Sequence, residues 1–105
     1  MKEITVQDLK AMKDAGEDFQ LVDVRENHEY ELTNIDGELI PLGEVAARAD
    51  EISKDKKVIV MCRSGKRSAT AIEYLEDNEG YDNLYNLVGG ILAYGREIDD
   101  SIVQY

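Results

Sequence analysis

Two apolar runs, Phe19-Gln20-Leu21-Val22-Asp23-Val24 and Val58-Ile59-Val60-Met61, each end in charged or polar residues and give way to helix-like spacing. This alternation constrains the fold more than any other feature. A strand apolar on both faces must be covered on both faces, as in a buried parallel sheet. Strands alternating with helices predict an open α/β fold, with a mostly parallel sheet and helices on both sides.

The rest of the chain supplies the remaining parts. Ile4-Thr5 reads as a short first strand. Thr5 with Asp8 resembles a capping box, and Val6, Leu9 and Met12 then share one helical face before a stop at Gly16. Asn27 is the expected cap of a short helix through Leu32, and Asp36-Gly37 is a turn signal. Leu39-Ile40 is a brief strand ended by Pro41, and Val45, Ala46, Ala49 and Ile52 predict another helix. The clearest helix runs from Ser68 to Asn78, with Gly80 as its stop. Leu84–Leu87 gives a fifth strand, Gly89-Gly90 a tight turn, and Ile91–Tyr94 the start of a last helix. The 105 residues suit one domain with a single hydrophobic core.

Between the strand at Val58–Met61 and the helix from Ser68 stands Cys62-Arg63-Ser64-Gly65-Lys66-Arg67, which holds the only cysteine. A lone cysteine is often a small core hydrophobe. The flanking Arg63, Ser64, Gly65, Lys66 and Arg67 do not line apolar cores. A thiol at a strand-to-helix turn faces the N–H groups of the helix N-terminus, which lower its pKa and favour an anion. The run therefore reads as a cysteine nucleophile for an anionic substrate. Thiol phosphatases carry five residues between cysteine and arginine, whereas four separate Cys62 from Arg67, so the loop encloses a smaller anion site.

Charge and composition exclude other classes. The net charge of −11 argues against nucleic acid and anionic membranes as partners. Without the three loop cations, nine basic residues face 23 acidic ones, so the loop is a basic island on a body of −14. That acidity either serves solubility or docks a basic protein. No apolar run approaches the ~20 residues of a membrane span, and Met1-Lys2-Glu3-Ile4-Thr5 lacks the apolar stretch of a secretory signal. A cytoplasmic setting is the expectation. No His or Cys cluster predicts a metal site. His28, the only histidine, follows Asn27 on a predicted surface helix and reads as exposed rather than as half of a Cys–His dyad.

Five segments together resemble the rhodanese family of sulfurtransferases. They are Leu21-Val22-Asp23-Val24-Arg25, the acidic-aromatic pair Glu29-Tyr30, Ile40-Pro41-Leu42-Gly43-Glu44, the loop Cys62 to Ala69, and Asn86-Leu87-Val88-Gly89-Gly90-Ile91-Leu92-Ala93-Tyr94. Thr33-Asn34-Ile35-Asp36-Gly37 departs from the Gly-His-Ile-Pro-Gly of many members, and Tyr94 replaces a common Trp. With the ending Glu97 to Ile102, this is similar to rhodanese domains fused to adenylating enzymes of thiamine and molybdopterin synthesis. The resemblance implies an open five-stranded rhodanese-like sheet and a ping-pong reaction. Cys62 would carry sulfur as a covalent persulfide, with no other cofactor. Arg63 and Lys66 would bind a sulfonate, Gly65 would let the loop N–H groups turn inward, and Ser64 would bond sulfur or hold the loop. Arg67 would contact substrate or brace the loop against an acid, and Asp23 and Arg25 would support its edge. Expected partners are thiosulfate or a persulfide donor such as a cysteine desulfurase, and a sulfur-carrier acceptor, with a monomeric protein. The rivals are a thiol phosphatase or arsenate reductase on the same fold, and a non-catalytic protein-binding module.

Overall fold

Strand-forming runs occupy the middle of the sheet, and the polar residues that end them form its working edge. The computed structural model describes all 105 residues. The strands are β1 (Glu3–Ile4), β2 (Gln20–Asp23), β3 (Glu38–Leu39), β4 (Val58–Met61) and β5 (Leu84–Leu87). The helices are α1 (Val6–Asp14), α2 (Asn27–Leu32), α3 (Lys66–Glu79) and α4 (Gly90–Glu97). The sheet order is β1-β5-β4-β2-β3, and every pairing is parallel. This is the open α/β fold with a five-stranded, all-parallel sheet.

Alternation along β4 sorts the core into two layers. Val58, Val60 and Cys62 face one layer with Val22, Val24, Ala71, Ile72 and Leu75. Ile59 and Met61 face the other with Leu9, Met12, Leu87, Ile91 and Tyr94. α3 thus covers one face, and α1 and α4 cover the other. Cys62, one residue beyond β4, inherits the α3 side of the pleat. No helix is long and apolar enough to cross a membrane.

Local chemistry sets the helix ends. Thr5 caps α1 by accepting the Asp8 N–H at 3.1 Å. Gly80 closes α3 at φ +71°, a left-handed conformation natural to glycine. Asn27, expected as a cap, is instead the first residue of α2. Glu26 takes the cap position in a reciprocal capping box with Glu29, placing that carboxylate one turn into the helix.

The helix expected over Val45–Ile52 is absent. Short 3-10 turns at Leu42–Glu44 and Ala49–Glu51 stand there. Val45, Ala49 and Ile52 are still buried, because tight turns satisfy the same apolar spacing as an α-helix. Arg48 at φ −115°, ψ 20° breaks the helical ladder. Its guanidinium pairs with Glu44 and Glu51 on either side of the break.

Candidate active site

The carboxyl end of β4 delivers Cys62 into the bend before α3. Its side chain is 1% exposed. Gly65, at φ +103°, turns its N–H onto Cys62 Sγ at 3.1 Å, a backbone angle that L side chains rarely adopt. The N–H groups of Ser64 and Ser68 also face the sulfur. The thiol therefore sits in a nest of amide dipoles at a helix N-terminus.

Behind the sulfur lies a short polar chain. Ser68 Oγ is 3.4 Å from Cys62 Sγ and donates to Asn86 Oδ1 at 2.5 Å. Asn86 Nδ2 donates to Gly65 O at 3.0 Å, which fixes the amide orientation and closes a ring around the loop. β5 lies beside β4 with Asn86 opposite Val60, so sheet register brings Asn86 to this point. Burial pushes the Cys62 thiol up. On ionisation the single Ser68 hydroxyl proton turns from Asn86 to the sulfur, and with the N–H groups of Ser68, Gly65 and Ser64 it outweighs burial and holds the thiol below its ordinary value. Ser68→Ala is therefore expected to move the alkylation midpoint of Cys62 by iodoacetamide to higher pH. At neutral pH its alkylation slows, because less thiolate is present. An unchanged rate–pH profile would show that Ser68 has no hold on the thiolate.

Other elements clamp the loop. Ile91 N–H bonds Cys62 O at 2.9 Å and Leu92 N–H bonds Arg63 O at 3.2 Å, so the start of α4 grips the loop backbone. Gly90 makes this approach possible: a Cβ there would lie 2.4 Å from Arg63 O and 2.5 Å from Cys62 O. Arg67 Nη1 and Nη2 bind both Glu29 oxygens, at 2.7 and 2.9 Å. Glu29 is mostly buried. Arg67 first, with the Glu26 N–H and the Tyr105 hydroxyl, overrides burial and holds the Glu29 carboxyl well below the usual range.

Beneath Glu29 lies a fully buried ion pair. Arg25 Nε and Nη2 bind Asp23 at 2.8 to 3.1 Å, and neither side chain is exposed. The remaining Arg25 donors reach Thr33 O at 2.8 Å, Glu29 O at 3.3 Å and Tyr105 Oη at 3.0 Å. Asp23 and Arg25 thus reach the loop by two routes, through Glu29 on α2 and through Tyr105. Arg63, Ser64 and Lys66 are exposed at the surface, and the Arg63 guanidinium lies over the Tyr105 ring, 5.0 Å from its centroid.

All eight residues singled out in the sequence therefore lie in the loop or its support. Three functions were missed there. Glu29 appeared only as part of a family signature, with no sign that it partners Arg67. Asn86 likewise sat in the closing signature without a role. Tyr105 carried no signal at all. His28 is exposed on α2, and Tyr94 packs in the α1–α4 layer, with Lys13 over its ring. The largest surface cleft, about 510 Å³ and lined by Ala46, Asp50, Lys54 and Tyr81 among others, contains no residue of the Cys62 loop. A site made of backbone N–H groups for a small anion needs no deep cleft.

A buried thiol ringed by amide dipoles, at the carboxyl end of a parallel sheet, defines a class of α/β proteins that present cysteine to small anions. The rhodanese-like domain model matches residues 5–97, and the chain belongs to this rhodanese-like sulfurtransferase family. It is 42% identical over 81 residues to a sulfurtransferase of Allochromatium vinosum, covering 76% of this chain and 75% of that one. The solved rhodanese-like domain protein of Staphylococcus aureus superposes with a TM-score of 0.83 at 35% identity, covering 93% and 95% of the two chains. The adenylyltransferase and sulfurtransferase UBA4 of Candida glabrata is 30% identical over 102 residues, covering 87% of this chain and 24% of that protein. The chain also spans under half of other curated relatives, 48% of one from Bacillus subtilis and 38% of one from Arabidopsis thaliana.

Proposed function

We propose that residues 1–105 form one sulfurtransferase domain that carries sulfane sulfur as a persulfide on Cys62. The carrying observation is the buried Sγ that accepts the Gly65 N–H at 3.1 Å. The Cys62 thiolate attacks the outer sulfur of thiosulfate or of a protein persulfide. The sulfur–sulfur bond breaks, and sulfite or a thiolate leaves with the electron pair. In the second half-reaction cyanide, a small thiolate or the cysteine thiolate of a sulfur-carrier protein attacks the terminal sulfur, and the electron pair of the broken sulfur–sulfur bond returns to Cys62.

Each loop residue has a task in this scheme. The N–H groups of Ser64, Gly65 and Ser68 stabilise first the thiolate and then the persulfide anion. Arg63 and Lys66 meet the anionic end of the donor, and Ser64 lines the rim. Gly65 permits the inward turn, and Arg67 ties the loop to Glu29. Asp23 and Arg25 hold the ground beneath Glu29. The names of the relatives from A. vinosum and C. glabrata accord with sulfur transfer, and the acidic body accords with a basic protein donor or acceptor.

The phosphatase reading is disfavoured by the same geometry. In a phosphate-cradling loop the arginine must offer its fork to the oxyanion, whereas both Arg67 nitrogens here are taken by Glu29. Incubating reduced protein with thiosulfate is expected to add the mass of one sulfur to wild type and nothing to Cys62→Ser. Absence of that adduct with both thiosulfate and a persulfide donor would refute sulfur transfer. Aryl phosphate turnover lost in Cys62→Ser would favour the phosphatase.

A further inference from the structure

We propose that Tyr105 is a positioning residue that holds Arg63 ready for donors with an anionic end, an inference that rests on the sulfur-transfer reading above. The segment after α4 folds back as a strap. Ile102 is buried, and its side chain packs where a Gly95 Cβ would stand, 3.1 Å away. Val103 N–H bonds Thr33 Oγ1 at 3.1 Å, and Gln104 Nε2 bonds Leu92 O at 3.1 Å. These ties carry Tyr105 to the loop. There its hydroxyl donates to Glu29 Oε2 at 2.7 Å and accepts from Arg25 Nη1 at 3.0 Å.

The ring is thereby fixed, and Arg63 rests on its face. Face stacking steadies a guanidinium without using its N–H groups, which all lie in its own plane. Arg25 and Arg67 spend their donors on Asp23 and Glu29, whereas the Arg63 side chain takes part in no ion pair. Arg63 is thus the loop guanidinium whose fork remains free. An oriented fork suits a sulfonate, which offers paired oxygens. Holding it in place reduces the ordering cost of binding. The effect should reach a donor with a sulfonate end and spare a persulfide, whose leaving thiolate offers no paired oxygens.

The test compares Tyr105→Leu, which removes ring and hydroxyl, with Tyr105→Phe, which keeps the ring. Two readouts are used: KM and kcat for thiosulfate and for 2-hydroxyethyl persulfide, and calorimetric binding of thiosulfate to protein carrying Cys62→Ser. Tyr105→Leu is expected to raise KM for thiosulfate, and to weaken its binding, roughly 3- to 10-fold. Its kcat and its KM for the persulfide, which has no sulfonate, stay near wild type. Tyr105→Phe retains most thiosulfate affinity, and in an Arg63→Met background Tyr105→Leu adds nothing further. Unchanged thiosulfate affinity, an equal loss for both donors, or a full effect in the Arg63→Met background would overturn the inference. Binding to the Cys62→Ser protein needs no sulfur transfer. A failure of the transfer reading therefore appears as a missing adduct, and a failure of the Tyr105 role as unaltered binding.

Discussion

Asp23→Ala is expected to destabilise the fold by about 3–5 kcal/mol, the usual consequence of removing one member of a buried ion pair. Domains of this size are stable by only ~5–15 kcal/mol, so thermal melting should fall by more than about 15 °C. The argument turns on Arg25. Its guanidinium is wholly buried, and its other partners, Thr33 O, Glu29 O and Tyr105 Oη, are neutral. Without Asp23 a positive charge remains in the core with no counter-charge. Asp23→Leu combined with Arg25→Met removes both charges and is expected to be less damaging than Asp23→Ala alone. Recovery should be incomplete, because the Thr33 carbonyl loses its donor, whereas the Glu29 carbonyl keeps the Thr33 N–H. Denaturant melts of the two variants decide this, and a loss below about 1 kcal/mol in Asp23→Ala would show that the Arg25 charge is compensated elsewhere.

Gly90→Ala is expected to reduce sulfur loading of Cys62 by about 100-fold or more, since misplacing a reacting group by ~1 Å has that effect. The added Cβ would meet the Arg63 and Cys62 carbonyls at 2.4 and 2.5 Å. Both are backbone atoms, so the loop must shift. Strain alone does not account for such a loss, and Gly16 supplies the control. Gly16 and Gly90 have similar left-handed angles, φ +66° and +59°, but nothing lies within 4 Å of a Gly16 Cβ. Gly16→Ala should therefore lose about 1 kcal/mol of stability and keep full activity. Measured loading rates and melting midpoints for both variants separate the two effects. Equal activity in both would remove any special role for the Gly90 approach.

What could be read in the sequence was what repeats locally. Val58–Met61 was bounded correctly because four apolar residues meet a charged run. Gly80 was placed as a stop because a left-handed residue there favours glycine. The loop was found because its residues are adjacent and their charges contradict the apolar strand before them. Pairings distant in sequence left no such trace. Glu29 meets Arg67 across the gap between α2 and α3, and Asn86 meets Ser68 only because β5 adds beside β4. Tyr105 arrives by a strap whose polar contacts have no periodicity. The helix expected over Val45–Ile52 failed for the converse reason, since burial of Val45, Ala49 and Ile52 requires a period and not a particular hydrogen-bond ladder.

β1 and β3 form the two margins of the sheet. β1 and β3 are two residues long, so the sheet ends almost as soon as it begins on either side. A long bare margin would invite strands from neighbouring chains, or from adjoining segments of the same chain, to join it. These stubs offer little to copy. A domain built this way can be joined to others in tandem without its sheet spreading into them. That suits a family whose members occur within much longer proteins, of which this chain matches 24% in one relative and 48% in another.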